Sequence, residues 1–232
     1  MTCPIPGGFL VAFEGIDGAG KTTQAQMLTR FCVDNQLEYV ISKEPTRGQH
    51  GTILRESAKN GRLPLNEELD LFIKDRREHV ERFIKPALER NQIVILDRYY
   101  FSNVAYQGAR GANPNVILMA NEDFAPEPDL LVILDVPPQL GLARIRERGD
   151  EPNAFETEES LAVARQLFNR MEAPYVHWID ARTGPEIVQH NVLTAFQIAA
   201  MNKIARSGMS PKGIDRTLEF FGGKPLPMPV HA

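Results

Sequence analysis

The sequence contains only two cysteines, Cys3 and Cys32, in 232 residues, which is too few for a disulfide framework. Their spacing also matches no metal-binding motif, so we expect two free thiols and a reducing, cytoplasmic location. No apolar run approaches the roughly 18 to 20 residues that span a bilayer, and residues 1–8 lack the basic start and the apolar stretch of a signal peptide. The sequence therefore predicts no membrane association.

An excess of positive charge is also missing, because 26 Lys and Arg residues stand against 30 Asp and Glu residues. Coating a nucleic acid requires a basic surface, so we expect no nucleic-acid partner. The hydrophobic content of 43% is close to the globular average and indicates a folded chain. We expect one domain over residues 1–205 and a weakly ordered, Gly- and Pro-rich tail over residues 206–232. The aromatic pair Phe220-Phe221 leaves docking of this tail as an alternative.

Five short apolar runs alternate with longer stretches of helical period, which is the pattern of a βαβ fold. Near-continuous apolar runs are typical of parallel strands that are covered on both faces, so the fold class is predicted to be doubly wound α/β. Two polar stretches, residues 107–115 and 144–156, are expected to be mobile site loops. The strands are predicted at residues 9–13, 38–41, 93–96, 130–134 and 176–179, and helices at about 21–34, 67–89, 138–148, 158–171 and 185–202.

A phosphate-binding loop follows the first predicted strand and precedes the first predicted helix, as its motif G-x-x-x-x-G-K-[ST] requires. Glycines let backbone N–H groups surround a triphosphate, and the helix N-terminus favours anions. Lys21 is expected to contact the β- and γ-phosphates of ATP, and Thr22 to supply an oxygen to Mg²⁺. A Gly-rich turn without a ligand is the alternative, but it would not require both side chains. The predicted nucleotide-binding residues are Gly15, Ile16, Asp17, Gly18, Ala19, Gly20, Lys21, Thr22 and Thr23.

A second candidate lies where the third predicted strand ends in Asp97-Arg98. Ligands of open α/β sheets bind beyond the carboxyl ends of the strands. Asp97 is therefore predicted to hold Mg²⁺, directly or through water, and Arg98 to offer a planar fork to a phosphate. Asp135 also ends an apolar strand but has no cationic neighbour, so Asp97 is preferred. A carboxylate that merely caps the next turn is the alternative for both.

The sequence resembles the thymidylate kinases over roughly residues 9–181. The resemblance rests on the phosphate-binding loop with its flanks, on Glu44-Pro45, on Asp97-Arg98-Tyr99 and on the run from Ser102 to Gly108. It implies a three-layer P-loop NTPase fold, with a five-stranded parallel sheet, helices on both faces and a short lid. It also implies transfer of the γ-phosphoryl group of MgATP to dTMP, in dTTP synthesis, by a homodimeric enzyme.

The resemblance also implies an acceptor site. Phe72 and Arg76 lie four residues apart and hence on one helical face, where their family counterparts stack on thymine and hydrogen-bond its carbonyl edge. Without the resemblance, a core phenylalanine beside a solvated arginine would be preferred. Tyr106 resembles the tyrosine that crowds the 2′ position of the sugar, and Asp17 the acidic residue that reaches the 3′-hydroxyl or the acceptor side of the metal. Contacts to the acceptor phosphate or base are implied for Arg55, Arg98, Ser102, Asn103 and Gln107, beside Glu44 and Pro45.

Three arginines, Arg144, Arg146 and Arg148, precede the charged stretch at the position of the family's lid. Gly18 stands where some members carry an arginine in the phosphate-binding loop, so the lid, at about residues 144–156, is expected to supply the catalytic cation. Residues two apart do not share a helix face, so we expect only two of the three to point inward. A solvated helix face is the alternative. Two departures from the family pattern are Thr46-Arg47-Gly48, in place of Gly-Gly-Thr, and a less basic lid end at residues 153–156.

No nucleophile with an adjacent base is apparent, so the expected mechanism is direct in-line transfer to the acceptor phosphate. The nearest alternative is a kinase for another nucleoside monophosphate or a deoxynucleoside, which Phe72 and Tyr106 argue against. A GTP-dependent switch lacks support, because Asn202-Lys203 is not followed by the x-Asp of the guanine-reading motif. A catalytically dead scaffold is unsupported, since every charged part is present.

Overall fold

The computed structural model describes residues 5–149 and 157–208. Its centre is one parallel sheet in the order β2-β3-β1-β4-β5. Both the five strands and the P-loop kinase fold predicted from the sequence are confirmed. The strands are β1 (Phe9–Glu14), β2 (Tyr39–Lys43), β3 (Ile93–Asp97), β4 (Leu130–Asp135) and β5 (Val176–Asp180).

Burial follows the apolar pattern of each strand. Every residue of β1 and β3 is buried, and β4 is buried except at its last residue. The edge strands β2 and β5 are mostly partly buried or exposed, and Ile179 is the one buried residue in them. Because β1 pairs with β3 in the register Phe13 to Asp97, the end of β3 lies beside the start of the loop that follows β1. The phosphate-binding loop and Asp97-Arg98, the two site segments predicted from the sequence, therefore meet at the carboxyl ends of β1 and β3.

Among the described helices, α6 (Pro114–Glu122) and α8 (Glu158–Phe168) begin after residues whose side chains cap them. α6 has Asn113 as its N-cap, whose side chain accepts a hydrogen bond from the N–H of Asn115, and Pro114 as its first residue. α8 starts after Thr157, which accepts from the N–H of Ser160. In the described residues, the helices are α1 (Lys21–Asp34), α2 (Gln49–Asn60), α3 (Leu65–His79), α4 (Lys85–Glu89), α5 (Tyr100–Gly108), α6 (Pro114–Glu122), α7 (Pro138–Glu147), α8 (Glu158–Phe168) and α9 (Pro185–Arg206).

All five predicted helices are present, and the described part of the chain adds α2, α5 and α6, which were not predicted. The helix predicted at residues 67–89 contains a π-helical segment, Val80–Ile84, between α3 and α4. Residues 107–115, expected to be a mobile site loop, instead include the end of α5 and the start of α6. Gln107 in this stretch is only 1% exposed, and its buried amide is satisfied by hydrogen bonds to side chains of α3 and of its own helix.

Cys32 is a free, buried thiol on α1. Among the described helices, none is long and apolar enough to cross a bilayer. Cys3, the lid end at residues 150–156 and the tail from residue 209, including Phe220-Phe221, lie outside the described residues, so the expectations about them are unchanged.

Candidate active site

The phosphate-binding loop connects β1 to α1 and depends on its glycines. Gly15, Gly18 and Gly20 have φ angles of 128°, 79° and 98°, a region that favours glycine. A Cβ atom on Gly15 would lie 2.4 Å from the carbonyl oxygen of Leu134, and one on Gly18 would lie 2.1 Å from that of Gly141. The loop is therefore packed directly against the end of β4 and against α7.

Lys21, the first residue of α1, folds back over this loop. Its ammonium group donates to the carbonyl oxygens of Gly15 at 2.9 Å and Ile16 at 2.8 Å. Burial and the nearby charge of Arg98 lower the pKa of Lys21 to about 8, although Asp17 and Asp97 act in the opposite direction. Three donors are available on an ammonium group, so one N–H bond is left for a phosphate.

Thr22 and Asp97 meet as predicted, with the Thr22 hydroxyl donating to Oδ2 of Asp97 at 2.5 Å. The ammonium group of Lys43, at the end of β2, lies 3.0 Å from the same Oδ2 and 3.4 Å from the Thr22 hydroxyl. Despite burial, Lys43, Arg98 and Lys21 lower the pKa of Asp97, so its carboxylate is ionised. Oδ1 of Asp97 is buried without a hydrogen-bond partner in the described part of the chain. The two oxygens of the Asp97 carboxylate therefore form a negatively charged group that attracts a cation.

Arg98, which follows β3, is bound to the phosphate-binding loop through Asp17. Its guanidinium group donates to Oδ1 of Asp17 in a short contact, and Asp17 also accepts from the Tyr106 hydroxyl at 2.8 Å. Arg98 and then Lys21 lower the pKa of Asp17 to about 2, against the effect of burial, which would raise it. Asp17, which a phosphate-binding loop alone gives no role, is thus fixed between an arginine and a tyrosine.

Glu14, the last residue of β1, holds the segment that follows Arg98. No role was assigned to it from the sequence. It accepts hydrogen bonds from the backbone N–H groups of Tyr99 at 2.8 Å and Ser102 at 2.9 Å, and from the Ser102 hydroxyl at 2.6 Å. The Ser102 hydroxyl also accepts from Arg98 at 3.2 Å. Arg98 has a φ angle of 74°, and Glu14 holds the chain directly after this strained residue. Burial raises the pKa of Glu14 to about 7.

Arg76 lies on α3 and is held by a carboxylate and an amide. Its Nε donates to Oε2 of Glu44 at 2.7 Å, and its Nη1 donates to Oδ1 of Asn121 at 2.5 Å. His79 pairs with the other Glu44 oxygen through Nδ1 at 2.9 Å. The contacts of Asn121 and His79 span 45 and 35 residues of sequence, and no local pattern marks them. Arg76 is therefore a buried, fixed donor, and the solvated alternative is wrong.

A second polar row lies on α5. Asn103 donates through Nδ2 to Oε1 of Gln107 at 2.9 Å, and Gln107 donates through Nε2 to Oε1 of Glu68 at 2.9 Å. Oδ1 of Asn103 is buried and has no hydrogen-bond partner among the residues that the structure describes. Asn103 therefore presents an unused acceptor.

Several of these groups line one cleft with an empty volume of about 740 Å³. Phe72 contributes an aromatic wall on the same helix as Arg76, as its spacing predicted. The predicted acceptor residues that the cleft brings together are Asp17, Glu44, Pro45, Arg55, Phe72, Arg76, Arg98, Ser102, Asn103, Tyr106 and Gln107.

Arg55, on α2, lies in this cleft and is bound to the loop after β2. Arg55 donates to the carbonyl oxygens of Pro45, at 2.9 Å, and of Thr46. Thr46 is itself held by Asp75, which accepts from its N–H at 2.7 Å and from its hydroxyl at 2.6 Å. The segment Thr46-Arg47-Gly48, which differs from the family pattern, thus has a structural role in this chain. The hydroxyl of Thr46 attaches the loop after β2 to α3.

A second cleft, with an empty volume of about 800 Å³, lies on the other side of the phosphate-binding loop. Arg144 and Arg148 line it with Gly18 and Thr23. Arg144 donates to the carbonyl oxygens of Ala181 at 2.9 Å and of Gly18 at 3.4 Å. Arg146 is exposed and does not line this cleft.

Asp135, the alternative to Asp97, is engaged elsewhere. Both of its oxygens accept from Arg165 of α8, at 2.6 and 2.7 Å. It therefore joins β4 to α8 by a bidentate ion pair, whereas Oδ1 of Asp97 has no hydrogen-bond partner among the described residues.

The described residues thus form two clefts that meet at one phosphate-binding loop. Beside this loop lie the cations Lys21 and Arg98 and the carboxylates Asp17 and Asp97, of which Asp17 and Arg98 line the first cleft. Such an arrangement suits phosphoryl transfer between two bound molecules, which depends on positioning and on charge stabilisation.

Comparison with known proteins gives a consistent result. A family model described as Thymidylate kinase matches residues 13–192. The chain is 55% identical over 183 residues to a protein named thymidylate kinase from Xanthomonas campestris pv. campestris (strain B100), covering 79% of this chain and 80% of that protein. It is 52% identical over 191 residues to one of the same name from Akkermansia muciniphila, covering 82% and 92%. With a further one, from Xanthomonas euvesicatoria pv. vesicatoria (strain 85-10), it shares 46% identity over 220 residues, or 95% and 97% of the two chains.

Proposed function

This chain belongs to the thymidylate kinase family and phosphorylates dTMP to dTDP with ATP, and on that premise we propose which of its residues perform each part of the reaction. The observation that carries the assignment is the meeting of two clefts at the loop that contains Lys21, with Arg98 and Asp17 at their junction. The cleft with Phe72 and Arg76 takes dTMP, and the cleft with Arg144 takes ATP. The acceptor phosphate is its own nucleophile, and transfer is in line.

The donor side uses the phosphate-binding loop, residues 15–23. Its backbone N–H groups bind the β- and γ-phosphates, with the last free N–H of Lys21 directed to them. Thr22 and Asp97 suit Mg²⁺, because hard oxygen ligands are what that ion prefers and Oδ1 of Asp97 has no partner in the described part of the chain. When bound, Mg²⁺ neutralises phosphate charge. Lys43 holds positive charge at the same oxygens in the absence of the ion.

The base is read through one acceptor and one donor. Oδ1 of Asn103 accepts the N3–H of thymine, since the amide nitrogen of Asn103 is already used by Gln107. Arg76 has five N–H bonds, of which three serve Glu44 and Asn121, so two remain for the O4 carbonyl. Cytosine has the opposite polarity at both positions, and Phe72 stacks on either ring. The pair therefore selects thymine by hydrogen-bond polarity.

The sugar and phosphate lie between Tyr106 and the arginines. The ring of Tyr106 is fixed by its hydrogen bond to Asp17 and crowds the 2′ position, which favours deoxyribose. Asp17 faces the 3′-hydroxyl. Arg98 and Arg55 bind the acceptor phosphate, with Ser102 orienting Arg98.

Charge that develops on the transferred group is stabilised by Lys21, Arg98 and the lid. Of the lid arginines, Arg144 and Arg148 line the donor cleft, so they are the two that act there, and Arg146 stays on the outer face. Closure of the lid, about residues 144–156, would bring these cations to the phosphates and exclude water.

We further propose one domain over residues 1–205, with residues 206–232 as a tail, and a cytoplasmic location, which the free thiol of Cys32 fits. The enzyme is proposed to be a homodimer. α6 supports this, because Val116 and Met119, three residues apart, are 61% and 69% exposed. A smaller mass for Met119→Lys than for the unsubstituted chain in light scattering would support α6 as the interface. Unchanged dimers would rule it out, and a monomeric unsubstituted chain would overturn the homodimer itself.

The test of the site assignment is a coupled assay of ADP release with MgATP and a panel of acceptors: dTMP, dUMP, UMP, dCMP, dGMP and thymidine. Strong preference for dTMP is expected, with loss of that preference in Asn103→Leu. A variant that keeps the preference would remove Asn103 from the base-reading pair.

A further inference from the structure

Glu68 is a buried carboxylate on α3 that has no contact with the phosphate-transfer groups described above, yet it lines the acceptor cleft. It is only 1% exposed. Its Oε1 accepts from Arg62 at 2.9 Å and from Gln107 at 2.9 Å, and its Oε2 accepts from Arg110 in a short contact. Both oxygens of Glu68 are therefore hydrogen-bond acceptors.

This fact determines the orientation of two amides. An amide side chain has one donating end and one accepting end, and either can face a neighbour. Because Glu68 only accepts, Gln107 turns its Nε2 towards α3 and its Oε1 towards Asn103. Asn103 must then donate to Gln107 with Nδ2, which leaves Oδ1 without a partner within residues 5–149 and 157–208.

We propose that Glu68 is a specificity-determining positioning residue: through Gln107 it fixes the polarity of the Asn103 amide and so makes the enzyme select a base with an N–H at position 3. This inference rests on the proposed role of Asn103. We call the hydrogen-bonded series Glu68, Gln107 and Asn103 the relay. It runs from α3 to α5, so the charge of Glu68 on α3 determines which atom of Asn103 on α5 faces the base. Reversing the relay would present an N–H donor, which matches the unprotonated N3 of cytosine.

A purely structural role for Glu68 makes a different prediction. Glu68 also holds Arg62 and Arg110, and Arg110 donates to the carbonyl oxygen of Leu63 at 3.1 Å, so its loss would loosen the segment between α2 and α3. Such loosening would weaken every acceptor alike. The relay acts only on the choice between bases of opposite polarity, so a ratio of two acceptors separates the two roles.

The experiment compares dTMP with 5-methyl-dCMP, which has the same methyl group and sugar but the opposite polarity at N3 and C4. The ratio of kcat/KM for the two is measured in the unsubstituted enzyme, in Glu68→Gln and in Gln107→Leu, with thermal unfolding of each. Arg62→Gln is the matched control, because it removes one ion pair of Glu68 and leaves the relay intact.

In Glu68→Gln and in Gln107→Leu the ratio is expected to fall about tenfold, the value of one neutral hydrogen bond of about 1.4 kcal/mol, mainly through KM. In Arg62→Gln it stays unchanged even if the unfolding temperature falls. If Glu68→Gln does not fold, Gln107→Leu carries the test, since it retains Glu68 and both of its arginines. An unchanged ratio in the folded variants, or an equal fall in Arg62→Gln, overturns the relay. If the unsubstituted enzyme itself shows no preference for dTMP, the proposed role of Asn103 fails instead.

Discussion

Glu44 holds Arg76 through a single oxygen, with Oε2 2.7 Å from Nε and 2.6 Å from Nη2. Both side chains are almost completely buried. Because a buried charge that loses its partner is strongly destabilising, this pair both supports the fold and fixes the donor proposed to read the thymine carbonyl.

Substitution Glu44→Gln is expected to lower the free energy of unfolding by about 3 kcal/mol, since breaking a buried ion pair leaves one charge uncompensated. KM for dTMP should rise more than kcat falls. Urea denaturation and steady-state kinetics measure the two effects. Asp135→Asn is the matched control: its pair with Arg165 is about one-third exposed and should contribute less than about 1 kcal/mol. Equal costs for the two variants would contradict the importance of burial.

Substitution Lys21→Met is expected to lower kcat by about 100-fold or more, because one preorganised donor to the transferred charge is lost. The pKa of Lys21 is lowered to about 8, so its charged form is present below that pH and is lost as the pH rises through it. ATP affinity of the unsubstituted enzyme should therefore fall above pH 8. Calorimetric titration from pH 7 to about 9.5 checks this, and the fall should be absent in Lys21→Met. A fall of the same size in both would assign the pH dependence to another group.

Substitution Lys43→Met is expected to reduce the Mg²⁺ concentration for half-maximal activity by up to about fivefold, since the ion pair between the exposed Lys43 and the buried Asp97 competes with the metal and is worth about 1 kcal/mol or less. Activity at saturating ATP and varied free Mg²⁺ measures this. Lys74→Met, which removes an exposed lysine paired with Asp70, is the control. A higher Mg²⁺ requirement would show that Lys43 assists the metal site.

The ring of Tyr106, rather than its hydroxyl, is expected to exclude ribose. Tyr106→Ala should raise the relative use of ribothymidine 5′-monophosphate over dTMP by about tenfold, because space opens at the 2′ position. Tyr106→Phe should keep the preference for dTMP. Competition between the two acceptors with product separation gives the ratio directly. Relaxed selection in Tyr106→Phe would transfer the role to the hydrogen bond with Asp17.

The parts that the sequence predicts well are those with a local signal. The strands are continuous apolar runs, and the phosphate-binding loop has fixed spacing, so the meeting of Lys21, Thr22 and Asp97 follows from the rule for parallel sheets. α5 was not predicted, because it is only nine residues long and the polar stretch that begins at Gln107 indicated a loop.

The parts that the sequence does not predict are long-range polar partnerships. Glu68, Asn121 and Glu14 contact the site across 39, 45 and 85 residues of sequence, respectively. A buried Glu68 on α3 has the same local pattern as its exposed neighbour Glu67, so only packing distinguishes them. Lys43 likewise gives no sequence signal, since a lysine at the end of an edge strand is usually solvated.

The close packing of Gly18 against Gly141 has a consequence for how such an enzyme can vary. A Cβ atom on Gly18 would lie 2.1 Å from the carbonyl oxygen of Gly141, and one on Gly141 would lie 2.4 Å from that of Asp17. Neither position tolerates a side chain unless α7 moves away from the loop. An arginine grafted at position 18 would therefore act as an epistatic change, harmful alone and acceptable only with a displaced α7. A single substitution at position 18 therefore does not place an arginine in the phosphate-binding loop of this chain without a second change in α7.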